Sequence, residues 1–569
     1  MALFILALGE GKALHLTNAV IWTGDPARPW AESMVVENGR VKSVGSDGED
    51  PEAIPLDLGG AFVCPGLIDA HAHVLGFGRG RTRVDLTGAR SLPEALDRVE
   101  IQVGAKKERG ENAWIRGRGW DQNDWPTPEF PDRQDLDRVG GDLPIVLTRV
   151  DGHAFWVNTR VLSLAGITRA SKDPAGGKIV RDRIGEPTGI LIDSAMDLLA
   201  GVVPTETDAE NREAIAKAVE LLARAGLTGV HDMGMSAREV ATYRQMAQHD
   251  SLRIRIYGAL VADDPDLARV TAAGPDMDWG GGTFRLGMVK FFMDGALGSR
   301  GAALLAPYSD DPGNSGLLRL DADSLQTIME GVLGNGFQCA VHAIGDRGNR
   351  LALAAWEKER ARHPGRSVPE APPSLIGQVP SRIPPFRLEH AQVLSVNDLH
   401  RLGSLGVLAS MQPTHCTSDM PWAPDRLGPE RLKGAYAWRS IMDEGVVLAA
   451  GSDFPVESPE PVLGLYAAVT RKPADGSHGA WFPEERLGRE EALAAFTAAP
   501  AYASGDLHRL GTLTPGKLAD FAVFDRNLVT CDPEALLHAK ALLTVVNGRA
   551  VWVEPTASFA KAYEEKVRS

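Results

Sequence analysis

The chain has 569 residues, 44% of them hydrophobic, and a formal net charge of −15 at pH 7. That length suits two or three domains around a large core. An acidic chain without a basic run interleaved with aromatics argues against broad binding to nucleic acid or to anionic membranes. Four cysteines, Cys64, Cys339, Cys416 and Cys531, are too few for a disulfide scaffold, and none forms a CxxC. A reducing, cytoplasmic compartment is the simplest expectation, with a periplasm as the alternative. The first eight residues are apolar but lack the basic and long apolar regions of a signal peptide. No apolar run of about 18 residues supports a membrane span.

Both ends of the chain read as strands. Ala13 to Gly24 has strand character, and Ser33–Val36 and Val41–Val44 flank Glu37-Asn38-Gly39. Asn-Gly between apolar stretches is a strong hairpin signal. Ala53 to Phe62 adds a further strand. At the other end, Asp520–Phe524 is followed by Leu543–Val546 and Arg549–Trp552, joined through Asn547-Gly548. A small sheet at each end would be marginal alone, so the expectation is one composite β-sandwich domain from residues 1–64 and 506–569.

Between these ends the pattern alternates strand, loop and helix. Apolar runs without strict alternation read as buried parallel strands: Ala61–Ile68, Gly226–Asp232, Leu252–Tyr257, Leu286–Met293, Gln338–Val341, Phe386–Leu388, Val407–Met411 and Val446–Ala450. Helical patterns such as Glu210–Ala225, Ala322–Gly334 and Ala435–Glu444 separate them. Eight such units predict an α/β fold, a (β/α)8 TIM barrel over residues 65–505 with its site at the strand C-termini. About 150 residues separate the first two strands, too many for an ordinary loop. Residues 78–204 are therefore expected to form an insertion covering the active-site mouth. Its tryptophans, Trp114, Trp120 and Trp125, serve either as a pocket wall or as the core of a small subdomain.

The candidate chemistry sits at strand ends. In Pro65-Gly66-Leu67-Ile68-Asp69-Ala70-His71-Ala72-His73 the two-residue strand period puts His71 and His73 on one face. Two imidazoles so placed suit Zn²⁺ or a similar divalent ion. Lys290 lies inside an apolar strand, where a lysine is costly unless paired, for instance with Asp294, or converted to a carbamate. His342, His390 and Asp453 each follow an apolar run. Any one alone would more often be an ordinary core or loop residue. Together they fall on strands one, four, five, six and eight, and that agreement points to a metal site.

These stretches, together with Trp120–Pro126, Thr148–Asn158, Gly229–Gly234, Gln412–Asp419 and Gly511–Asp525, resemble the amidohydrolase superfamily. The likeness is closest to the YtcJ-like amidohydrolases, which include N-substituted formamide deformylases. The resemblance implies two divalent metal ions, Zn by preference, held by His71, His73, carboxylated Lys290, His342, His390 and Asp453. Lys290 would take up CO₂ and bridge the ions. The implied reaction is hydrolysis of a non-peptide C–N bond in an amide or formamide by a metal-bridging hydroxide, with Asp453 as general base and then acid. Carbamates, esters and phosphoesters are the alternative substrates, and a non-catalytic barrel is the reading from another class. The expected partner is a small molecule, and the resemblance admits a homodimer. Twelve tryptophans and the acidic charge favour a neutral, apolar or aromatic ligand. His153, Arg300 and His415 are the preferred substrate contacts, ahead of Asp121, Asp124, Arg149, Asp151, His231, Asp232 and Asp419. Cys416 has no evident base partner in the sequence.

Overall fold

The stretch Ala61–Ile68, one strand by its apolar pattern, breaks at Gly66 into two strands that enter different sheets. Phe62–Pro65 pairs with Val20–Trp22 and Phe521–Phe524, whereas Leu67–Ala72 pairs in parallel with Leu227–Met235. A Cβ at Gly66 would lie 2.1 Å from Thr228 Oγ1, so only glycine fits where the chain crosses. The seam is therefore at Gly66, and His71 lies near the C-terminal end of the first barrel strand. Ala13–Gly24 splits similarly. Leu14–Thr17 and Val20–Trp22 belong to separate sheets, with Asn18 at φ 49° between them.

The structure is a computed structural model. It describes residues 13–45, 52–108, 114–122, 125–149, 152, 154–174, 177–364 and 383–563. The chain divides into two units, Met1–Val74 with Val219–Ser569, and Leu75–Ala218. In the first unit, a four-stranded sheet runs in the order Arg40–Val44, Met34–Glu37, Leu14–Thr17, Ile54–Asp57. A six-stranded sheet runs Arg549–Val553, Ala541–Val546, Phe521–Phe524, Phe62–Pro65, Val20–Trp22, Trp30–Ala31. Both sheets share one core, including Leu16, Ile21, Met34, Val36, Leu56, Val63, Val523, Leu543 and Val545. The two Asn-Gly turns are left-handed at both residues, with φ 50° and 74° at Asn38-Gly39 and 53° and 71° at Asn547-Gly548. That is the hairpin geometry Asn-Gly favours. The two tips meet, because a Cβ at Gly39 would lie 2.8 Å from Asn547 O.

The same unit holds an α/β barrel of eight parallel strands: Leu67–Ala72, Leu227–Met235, Arg255–Val261, Phe284–Phe292, Gln338–Ala343, Phe386–His390, Leu408–Met411 and Leu448–Ala450. Asp276–Trp279 adds an antiparallel strand outside this path. All eight expected strands are present, several displaced by a few residues. The ladder runs unbroken from strand one through strand seven to strand eight, and among the described residues no ladder joins eight to one. Backbone bonds close that gap, Asp453 N–H to His71 O at 2.7 Å and His73 N–H to Phe454 O at 2.9 Å.

The unit Leu75–Ala218 has a mixed sheet in the order Gly177–Arg181, Pro187–Asp193, Ala154–Val157, Ile145–Arg149, Ile115–Trp120, Val84–Asp85. Trp120, Trp125 and Trp156 lie in its core. Trp120 packs edge-on against Trp156 at 6.1 Å, and its Nε1–H donates to Leu147 O at 3.0 Å. Trp120 and Trp125 thus serve as core, the second of the two uses open to them in the sequence.

Replacing Gly66 with Ala drives a methyl group into Thr228 at a packed crossing. We expect a loss of about 1–3 kcal/mol, read as a lower thermal unfolding midpoint. An unchanged midpoint would show that the crossing relaxes freely.

Candidate metal centre

Asp69, His71 and His73 share the inward face of strand one. The Asp69 carboxylate is buried and spans the gap to the loop after strand eight. It accepts from His71 N–H at 3.0 Å, from Ser452 N–H at 3.1 Å and from Ser452 Oγ–H at 2.6 Å. A Cβ at Gly451 would lie 2.5 Å from His71 N and 2.6 Å from Asp69 Oδ1, so glycine is required there. Asp453, two residues on, has φ 60°, a region non-glycine residues seldom occupy. Its carboxylate lies 3.2 Å from His73 Nε2, 3.6 Å from His71 Nε2 and 3.8 Å from His415 Nε2.

Strand six supplies Arg387, Glu389 and His390. Arg387 and Glu389 are both fully buried and pair side by side. The Arg387 guanidinium also donates to Ala70 O at 2.8 Å and to His231 Nδ1 at 2.9 Å. Glu389 Oε2 accepts from His71 Nδ1 at 2.6 Å. That bond puts the proton on Nδ1 and leaves the Nε2 lone pair facing Asp453 and Lys290. Strict alternation would turn His390 away from Glu389's face. Instead φ is 73° at His390 and 41° at Ala391. The kink brings the His390 ring to 4.6 Å from that of His71 and 4.5 Å from that of His342. Strained backbone of this kind persists where the surroundings over-determine it, as at functional sites. His390 Nδ1–H donates to Gln412 Oε1 at 2.8 Å, leaving its Nε2 free as well.

Lys290, 1% exposed on strand four, has its Nζ 3.3 Å from His71 Nε2. Among the described residues no carboxylate oxygen lies within ion-pair distance of it. Asp294, the partner considered for it, instead accepts backbone N–H groups of Ala303, Ile344 and Gly345 at 2.9, 3.0 and 2.8 Å. His342 Nε2 is 3.5 Å from Asp294 Oδ1, without hydrogen-bond geometry. His342 Nε2, His415 Nε2 and Asp453 Oδ1 are all buried with no aligned hydrogen-bond partner.

The electrostatics follow from this burial. Burial, and then the charge of Lys290, lowers His71 to about 4 and His342 to about 3. Burial and the neighbouring His342 hold His390 well below the ordinary value. All three rings are neutral near pH 7, the form in which imidazole binds metal. Burial pushes the Asp453 carboxyl up, but His71, His73, His390 and His415 around it win and hold it ionised. Burial lowers Lys290 to about 8, so about a tenth is the neutral amine at pH 7, far more than for an ordinary lysine. The donor set therefore fits divalent metal: His71, His390 and Asp453 present ligand atoms within 4.8 Å of one another, with orphaned donors of His342 and His415 beside them.

The six expected ligands thus converge. Of the expected substrate contacts, His415 is in the site, its ring stacked 6.1 Å from that of His390. Arg300 is engaged by Asp310, donating from Nε at 3.1 Å and from Nη2 at 2.9 Å. His153 lies outside the described residues, as do Asp124 and Asp151. Arg149 pairs with Asp121 at 2.6 Å. His231 is held by Arg387 inside the barrel, and Asp232 accepts from Tyr243 OH at 2.8 Å. Asp419 accepts from Gln392 Nε2 at 2.9 Å and from Tyr436 OH. Burial raises the Cys416 thiol to about 12, so it is no nucleophile. Sequence reasoning missed Asp69, Glu389, Arg387 and Gln412. The available signal was the charge of Arg387 and Glu389 within an otherwise apolar strand.

A sequence profile of the Amidohydrolase family matches residues 56–552. The putative amidohydrolase YtcJ of Bacillus subtilis is 33% identical over 92% of this chain and 96% of its own. The N-substituted formamide deformylase of Arthrobacter pascens is 27% identical over 94% of this chain and 98% of its own. Among solved structures, an uncharacterized metal-dependent hydrolase from Pyrococcus furiosus superposes with a TM-score of 0.74 at 27% identity, covering 91% of this chain and all of that one.

If Glu389 fixes the His71 tautomer, Glu389→Gln should weaken binding of a divalent ion by roughly 10–100-fold. Competition with a chromogenic chelator measures this. Unaltered affinity would show that His71 needs no carboxylate to orient it.

Proposed function

Because this chain belongs to the amidohydrolase family, we propose that it is a metal-dependent hydrolase cleaving the C–N bond of a small amide or formamide. The observation that carries the reading is the convergence, at one end of the barrel, of neutral imidazoles with free nitrogens, an ionised Asp453 and a buried Lys290 lacking an acid. The relationship to a formamide deformylase along nearly the whole chain supports the bond type.

His71, His73, Lys290, His342, His390 and Asp453 would hold two divalent ions, zinc by preference. Bound there, the ions supply Lewis acidity for the substrate carbonyl and make a water nucleophilic near neutral pH. The chain's own residues do the rest. The neutral Lys290 amine attacks CO₂; the new N–C bond forms as one amine proton leaves to solvent, giving an anionic carbamate in place of an isolated cation. Asp453 accepts the proton of the attacking water and returns it to the leaving nitrogen. Its backbone N–H bond to His71 O holds its carboxylate beside His73 throughout. The Nε2–H tautomer of His415 could donate to the developing oxyanion.

Chelator-stripped protein should regain activity towards N-substituted formamides and N-acyl amines when Zn²⁺ and bicarbonate are returned, with two ions per chain by elemental analysis. Asp453→Asn should lower kcat by roughly 10²–10⁴-fold. With ¹³C-bicarbonate, a carbamate resonance should appear in the wild type and vanish in Lys290→Ala. Protein that binds no metal after this treatment would sink the reading.

A further inference from the structure

The 293–321 connection after strand four carries two arginines with opposite circumstances. Arg300 is neutralised by Asp310, which also receives Arg426. Arg319 is exposed, and among the described residues no carboxylate lies within ion-pair distance of it. Its guanidinium carbon instead sits 5.1 Å from the ring centre of Phe292. Phe292 follows Lys290 on the same strand face. The same ring stands 5.5 Å from that of His342 and 5.3 Å from Lys290 Nζ. Arg319 is thus one aromatic ring away from the candidate metal ligands.

Its backbone is fixed. Arg319 N–H donates to Met293 O at 2.8 Å, and Leu318 bridges to Asp294 at the very end of strand four. The loop is further pinned by Arg431, which donates to Ala306 O at 2.8 Å and Pro307 O at 2.9 Å. Phe292 is half-buried and Arg319 exposed, so the ring and the guanidinium both present surface to solvent. A guanidinium stacked on an aromatic face keeps its in-plane N–H donors free, and those donors match a carboxylate two at a time.

We propose that Arg319 is a substrate-binding residue that receives a carboxylate, so that the preferred substrates are N-acyl amino acids, with the free acid a few bonds from the scissile nitrogen. This rests on the reading of the site as an amide hydrolase. It also departs from the neutral ligand that composition favours, because a net-acidic surface says nothing about one free cation beside the site. Phe292 would contact the body of the substrate between the two ends.

The test uses metal-loaded full-length protein with N-formyl-L-leucine and its decarboxylated twin, N-isopentylformamide. Wild type should prefer the acid. Arg319→Ala should raise KM for the acid by roughly 10–100-fold, leave the twin within about twofold, and change kcat little. Arg319→Lys should recover part of the loss. Equal effects on both compounds, or a wild-type preference for the neutral twin, would overturn the assignment. If neither compound is hydrolysed by any variant, the proposed bond type fails. Calorimetric binding of the same two compounds to wild type and Arg319→Ala then decides the arginine separately. Loss of affinity for the acid alone supports it, and equal affinity in both proteins overturns it.

Discussion

The barrel has one side without a strand ladder, between its first and last strands, and the rest of the site depends on how that side is closed. Strand eight is only Leu448–Ala450, and among the described residues it pairs with strand seven and not with Leu67–Ala72. The buried Asp69 carboxylate does the joining, with Ser452 giving it both a backbone and a hydroxyl donor. A buried carboxylate is costly without donors; here burial still raises Asp69 to about 7 against the pull of those bonds. The same closure passes through Asp453 N–H to His71 O and His73 N–H to Phe454 O. Closing the barrel and positioning His71, His73 and Asp453 are therefore one geometric act.

Inside that closure sits an unusual density of charge. A buried ion pair such as Arg387–Glu389 contributes little net stability, because desolvation consumes most of the attraction. Its remaining donor and acceptor capacity explains its presence better. One end orients His71 and the other holds His231 and the Ala70 carbonyl. Among the described residues Lys290 has no carboxylate within ion-pair distance, and a buried ammonium without one is unfavourable. Converting it to an anionic carbamate beside cations would reverse that penalty, which is why an ion pair and a bare lysine in the same barrel make physical sense together.

Much of this was legible in the sequence, for a simple reason. Parallel barrel strands are apolar runs, and polar residues just past them must lie at the C-terminal face, so His71, His73, Lys290, His342, His390 and Asp453 could be gathered without coordinates. What stayed hidden was local backbone geometry. Nothing in Phe386-Arg387-Leu388-Glu389-His390 announces that left-handed φ values at His390 and Ala391 turn the last ring back beside Glu389. The apolar run Ala61–Ile68 likewise conceals a change of sheet at Gly66, which only the Thr228 side chain across the gap enforces. Asp69 shares the face of the two histidines, but nothing in the sequence ties it to Ser452, 383 residues away, whose donors give it its role.

The two arginines of the 293–321 connection show where such reading ends. In the sequence Arg300 is the better placed, between glycines soon after Lys290, while Arg319 lies much further along the chain and carries no signal. Sequence distance misleads because the chain folds back: Leu318 bridges to Asp294 and returns Arg319 to the end of strand four. Arg300 is carried outward to Asp310, where Arg426 competes for the same carboxylate. In barrels of this kind the strands fix the chemistry and the loops choose the substrate. A loop whose one arginine is spent on anchoring and whose other lies over Phe292 beside the candidate metal ligands divides those tasks between them. The anchoring pair shares its task with Arg431, with Asp294 at Ala303 N–H and with Asp346 at Leu305 N–H, so the loop's return to strand four is held from several sides while the second arginine is left for the ligand.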